Sequence, residues 1–180
     1  AGPRSTSLLG ILRTPGVLRA ILVSTTVLST VDIIIAYMPA LGEERLWPAS
    51  LVGLLLAIRA ASSMGMRLIL GSLAARYGRG WLLTGSMAVS AASLVLLPID
   101  LPVPVIALLM ITAGAGLGIG QPLTMSWVAS LSAPGTRATT LSVRIMGNRV
   151  GQVALPVIVG SIAAFSGAGG VLGVTGLSWL

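Results

Sequence analysis

The sequence predicts an all-α membrane protein, a bundle of helices that crosses the bilayer several times. Three observations predict it. Of the 180 residues, 55% are hydrophobic and only 8% are charged, where a soluble domain carries about 25% charged residues. The apolar residues gather into runs long enough for the roughly 20 helical residues that cross a hydrocarbon core. Short segments rich in Gly, Pro and Arg separate those runs, and the mean hydropathy of the chain is +1.01.

Composition also excludes several chemistries. The chain has no Cys and no His, so disulfides, thiolate metal sites and imidazole proton carriers are ruled out, and neither a metal nor a cofactor is expected. All eleven basic residues are Arg. The isoelectric point near 11.8 does not signal nucleic acid, because the arginines are scattered between and inside apolar runs rather than gathered into a patch. Scattered in that way, they report membrane topology.

Residues 1–16 are polar, with two Pro and two Arg, and read as a linker. They contain no cleavable leader pattern, and the Ala-Gly-Pro start suggests a chain that continues a longer protein. The first span covers about residues 17–41. Thr25, Ser29 and Asp32 recur at steps of four and three, which puts them on one helical face. A polar stripe with an acid at depth faces a cavity or another helix, not lipid. The charged segment Gly42–Trp47 closes this span.

The second span covers about residues 48–70 and opens on Pro48, a residue suited to a first helical turn. It carries Arg59 near its middle and Arg67 near its end, where Arg67 can snorkel to the interface. Counted from the Glu43–Trp47 loop, Arg59 lies at about the depth of Asp32. A buried charge needs a partner, so Asp32 and Arg59 are a candidate pair. The alternatives are that each faces water in a cavity, or pairs with a group from elsewhere.

Gly71–Leu83, read as G-S-L-A-A-R-Y-G-R-G-W-L-L, is the densest knot of Gly and Arg in the chain and reads as a short turn. The third span follows at about residues 81–97, ended by a Pro-rich loop that holds Asp100. The fourth covers about residues 105–130 and contains G-A-G-L-G-I-G-Q-P from Gly114 to Pro122. A phosphate loop is excluded: the glycines fall at every second residue, no strand precedes them and no Lys follows. Gly114/Gly118 and Gly116/Gly120 instead predict two thin faces for close helix packing. Pro122 is expected to loosen the helix beside the polar Gln121.

The fifth span covers about residues 138–164. Arg144, Asn148, Gly151 and Gln152 share one face, while Arg149 points elsewhere. Residues 168–180 are apolar but give only ~20 Å of helix, so they read as a partial sixth span. Charge then sets the orientation. Residues 1–16, the Arg76/Arg79 turn and the Arg137 loop collect basic residues on one side, while Glu43, Glu44 and Asp100 fall on the other. By the positive-inside rule the linker and the 71–83 turn are cytoplasmic, in a cell inner membrane.

Gly71, Leu73, Arg76, Gly78, Arg79 and Leu83 stand in the pattern G-x-L-a-D-R-x-G-R-k-x-x-L. This resembles the loop signature of the major facilitator superfamily of secondary transporters. Ala75 replaces the family's Asp, and Gly80 stands where a basic residue is common, which is closer to the weaker copy between the eighth and ninth helices. The run R-I-M-G-N-R-V-G-Q-V-A-L-P-V-I-V-G looks like the eleventh helix of bacterial members. The resemblance covers most of residues 17–180. It implies the C-terminal six-helix half of a drug-exporter-like transporter. With no Cys or His and no nucleophile–base pair among the deep polar groups, no enzymatic activity is expected.

On that resemblance the first, second, fourth and fifth spans face the cavity or the other half. The candidate substrate or coupling residues are then Asp32, Arg59, Gln121, Arg144, Asn148 and Arg149. Gly71, Leu73, Arg76, Gly78 and Arg79 form the candidate cytoplasmic gate. The expected partners are the missing N-terminal six-helix half, the lipid bilayer, a small-molecule substrate and protons, with no nucleic acid. The expected function is proton-coupled antiport or efflux by alternating access. The competing expectation is a truncated or regulatory membrane module with no transport of its own.

Overall fold

A computed structural model describes residues 14–132, 135–154 and 157. The expectations for residues 1–13 of the linker, for residues 158–164 of the fifth span and for the partial sixth span at 168–180 lie outside the described residues. Among the described residues the fold is all-α. Four long helices run in order: α1 Val17–Glu44, α2 Ala49–Tyr77, α3 Arg79–Leu96 and α4 Val103–Leu131. A fifth, α5, covers residues 137–154. The first four are each long and apolar enough to cross a membrane.

The helices extend past the expected spans. α1 has 28 residues, about 42 Å of helix, and continues through Pro39 to Glu44, so half of the Gly42–Trp47 segment is helical. α2 runs on to Tyr77, seven residues beyond the expected end at Leu70. The Gly71–Leu83 stretch is therefore not a loop. It is the last two turns of α2, one linking residue, and the start of α3. The link is Gly78 at φ 78° and ψ 148°, a region of backbone space that is essentially closed to residues with a Cβ. Glycine at this one position is what lets two long helices meet with no intervening segment.

Short links between successive helices force them to run antiparallel. α4 occupies the centre, packed against α1, α2 and α3. Its glycines explain how. A Cβ on Gly114 would strike the Arg59 carbonyl, and one on Gly118 would lie 2.6 Å from the Ser63 carbonyl, both on α2. Gly114/Gly118 is thus one thin face, as its spacing predicts. Gly116 and Gly120 do not share a face. Gly116 meets Ser86 and Ser90 of α3, while Gly120 meets Val27 of α1. The split follows from the central position of α4: glycines 40° apart in projection fall on either side of a boundary between neighbours.

Lipid is as apolar as Leu, so side-chain burial alone does not draw such helices together; close packing and polar contacts do. The larger packed cluster joins Ile34, Met38, Leu55, Leu94, Ile106 and Met110 toward the end that carries Arg45. A smaller one joins Val17, Ala20, Ile21, Val128 and Val143 near the opposite end. At the first end Arg45 Nη2 donates to the carbonyls of Leu97, Pro98 and Ile99 at 3.3, 2.7 and 2.9 Å. Its guanidinium also lies 5.2 Å from the Trp47 ring centroid. A cation is well placed there, because the C-terminal carbonyls of α3 have no helical donors.

Candidate functional site

The polar groups at depth fall into two clusters, one on each side of the α1–α4 contact. The first is a seam between α1 and α5. Gly147 and Gly151 let α5 approach α1: a Cβ on Gly147 would lie 2.9 Å from Ile21, and one on Gly151 would strike Thr25. With the backbones this close, side chains between them bond directly. Ser24 Oγ and Thr25 Oγ1 donate to Asn148 Oδ1 at 3.2 and 3.1 Å. One turn along, Gln152 Nε2 donates to Asp32 Oδ2 at 2.8 Å. Arg149 Nη1 donates to the oxygen of the same amide at 2.8 Å. The result is a relay from an exposed guanidinium through a neutral amide to a half-buried carboxylate.

This arrangement corrects the Asp32–Arg59 pairing. Asp32 is engaged by Gln152 of α5, and Arg59 forms no ion pair or hydrogen bond among the described residues. The depth argument placed both groups at the same level, but it could not fix the direction in which each points. Val31, the neighbour of Asp32, lines the cavity around Arg59. Asp32 itself is turned one residue further round the helix, about 100° away, toward α5.

Arg144 joins the seam to α4. Buried to 8% exposure, it donates from Nη2 to Thr124 Oγ1 at 3.2 Å and weakly to the Gln121 carbonyl at 3.4 Å. Its contacts sit beside Pro122, through which α4 continues as helix.

The second cluster is a cavity of about 560 Å³ between α1, α2 and α4, lined by Arg59, Ser63 and Arg67 with Gln121, Leu117 and Met64. Arg59 is 7% exposed, and its Nε has no hydrogen-bond partner. The close approach of α2 to α4 at Gly114 and Gly118 is what brings Arg59 and Gln121 to one wall.

The candidate gate residues stand apart from both clusters. Gly71, Leu73 and Arg76 are on the last two turns of α2, Gly78 is the link, and Arg79 opens α3. The Arg76 guanidinium lies 5.6 Å from the Tyr77 ring centroid. Arg79 and Arg19 line a recess of about 380 Å³ with Ser126 and Trp127. Among the described residues no three His, Cys, Asp or Glu side chains gather as a metal site would require.

Of the six candidate cavity residues, then, Asp32, Asn148 and Arg149 meet in the seam, Arg144 links it to α4, and Arg59 and Gln121 share the cavity. Sequence reasoning passed over Gln152 as a bridging group, although its spacing from Asn148 and Arg149 put it within reach of both. It also passed over Ser63, which sits one turn from Arg59 and one from Arg67, and Arg45, whose carbonyl partners lie over 50 residues away.

A family model described as Major Facilitator Superfamily matches residues 20–180. No curated protein and no solved structure matches the chain significantly.

Proposed function

The chain belongs to the major facilitator superfamily of membrane transporters, and from that premise we propose that it forms the C-terminal six-helix half of a proton-coupled secondary transporter, with Asp32 as the proton carrier. In this reading the two halves rock about a site near the bilayer midplane. The Gly78 end faces the cytoplasm, which the arginine asymmetry supports. Arg76 and Arg79 bond helix ends of the other half when that side closes, and transport runs as antiport or efflux.

The observation that carries the proposal is the hydrogen bond from Gln152 to Asp32 across the α1–α5 seam. An ionised Asp32 accepts a charge-assisted bond, worth about 1.5–3 kcal/mol against about 0.5–1.5 for a neutral one. Arg149 holds the amide oxygen, so the amide N–H stays directed at Asp32. Protonation removes the charge and weakens the tie between α1 and α5 by roughly 1 kcal/mol. That is a bias of five- to tenfold between two conformations. A complete switch from one state to the other requires about 5.5 kcal/mol, so the proton biases the seam while substrate binding and the other half supply the remainder.

The test uses the complete transporter in proteoliposomes that enclose a pH-sensitive dye, challenged with organic anions and cations one at a time. The intact protein shows solute-evoked proton movement. Asp32→Asn keeps solute exchange and loses the proton signal. Proton movement at the unchanged rate in Asp32→Asn removes Asp32 from coupling.

A further inference from the structure

The cavity between α1, α2 and α4 contains cationic groups that no carboxylate among the described residues neutralises. The sequence has four carboxylates: Asp32, Glu43, Glu44 and Asp100. Asp32 is bonded to Gln152 on the α5 side. Glu43 and Glu44 close α1 at the Arg45 end, and Asp100 lies in the α3–α4 link. None of the four lines the cavity. Arg59 is nine-tenths buried with an unpartnered Nε. Arg67 follows two turns along the same helix, and the Gln121 amide faces the same space from α4.

Two guanidiniums and an amide that converge without an acid amount to a recognition site for negative charge. The guanidinium fork matches a carboxylate or other planar oxyanion with two parallel N–H bonds. The volume, about 560 Å³, is that of a small-molecule pocket. Leu117, Met64 and Val31 complete the wall, so the anionic group is attached to an apolar body. We infer that the transported solute is an organic anion, and that Arg59 binds its carboxylate or sulfonate while Arg67 and Gln121 assist. This rests on the transporter reading and names the substrate class of its cavity. Arg149 and Arg144 take no part, because neither lines the cavity.

The rival occupant is a carboxylate side chain from the other half, which would leave the cavity neutral. A measurement of cavity charge that needs no knowledge of the solute separates the two. This half has no Cys, so once any cysteines of the other half are replaced by Ser, Ser63→Cys introduces a single thiol one helical turn from Arg59 and one from Arg67. The transporter carrying it, in proteoliposomes, is reacted with an anionic methanethiosulfonate (the sulfonatoethyl reagent) and with the cationic trimethylammonioethyl reagent. Nearby arginines raise the thiolate fraction for both reagents alike. The ratio of the two rates, normalised to 2-mercaptoethanol, therefore reports only the local field.

Focusing of field in a low-dielectric cleft predicts a normalised preference of roughly tenfold or more for the anionic reagent. Arg59→Gln, and separately Arg67→Gln at an exposed position that tolerates substitution, each cut the preference at least about threefold. A normalised ratio at or below that of the free thiol, unchanged by either substitution, overturns the anion site while leaving the transporter reading in place. A thiol that neither reagent reaches until the protein is denatured means that the cavity is not aqueous, and then the anion site falls while the transporter reading, tested separately at Asp32, stands.

Discussion

Gly118 and Gly114 give the sharpest prediction about what holds the bundle together. An Ala methyl at Gly118 would sit 2.6 Å from the Ser63 carbonyl, where an ordinary contact begins at 3.4 Å. α2 would have to withdraw by about 0.8 Å, and the obstacle is backbone, which cannot rotate away. Overpacking of this kind costs about 1–3 kcal/mol. The intrinsic helix preference of Ala over Gly, about 0.8–1.0 kcal/mol, opposes it. Gly53 isolates that opposing effect: it lies on the same α2 and a Cβ there meets nothing within 4 Å. Thermal unfolding in detergent should show Gly53→Ala slightly more stable than the parent chain. Gly118→Ala and Gly114→Ala should fall below Gly53→Ala by about 1–3 kcal/mol. Because Arg59 and Gln121 flank this contact, the same variants should also change labelling of the neighbouring cavity. If all three substitutions stabilise alike, the α2 backbone does not lie within 2.6 Å of a Cβ at Gly118.

Gly78→Ala should destabilise by about 1–3 kcal/mol through backbone strain alone, since a Cβ there would meet no other group; chemical denaturation checks this, and an unchanged midpoint would mean the α2–α3 link bends elsewhere. Arg45→Ala should cost about 1.5–3 kcal/mol, the range for hydrogen bonds to a charged group, and Arg45→Lys should recover only part of it; full recovery in a melting experiment would show that charge alone suffices. Asn148→Ala strands the Ser24 and Thr25 hydroxyls and should cost about 1–3 kcal/mol. In a double-mutant cycle with Ser24→Ala, a coupling energy near zero would remove that bond from the seam.

The sequence made helix depth legible and left direction obscure. Run length located the membrane segments, and the spacing of Thr25, Ser29 and Asp32 identified one face of α1. That face lies against α5, where Thr25 and Asp32 find their partners. Nothing local could show that the partner of Asp32 is 120 residues away on α5 rather than at equal depth on α2. Azimuth is decided by which helices pack, and packing depends on glycines whose neighbours are unknown from sequence. For the same reason Gly116 and Gly120 read as one thin face, while the structure sets them against two different helices. The Gly71–Leu83 stretch was misread for a different reason. Its glycines and arginines match a turn in composition, yet helix propensity survives an exposed Gly71, and one positive-φ glycine is enough to reverse the chain.

The grip of Arg45 on three carbonyls is a clamp between two helix connections. It ties the short connection between α1 and α2 to the end of α3, so those helix ends stay together as a pivot. The opposite ends of α2 and α3 are joined through Gly78. Displacement then grows with distance from the pivot: a tilt of about 5° over a 42 Å helix moves its far end by nearly 4 Å. One guanidinium thus clamps one end of the bundle, while at the other end α2 and α3 are joined through Gly78.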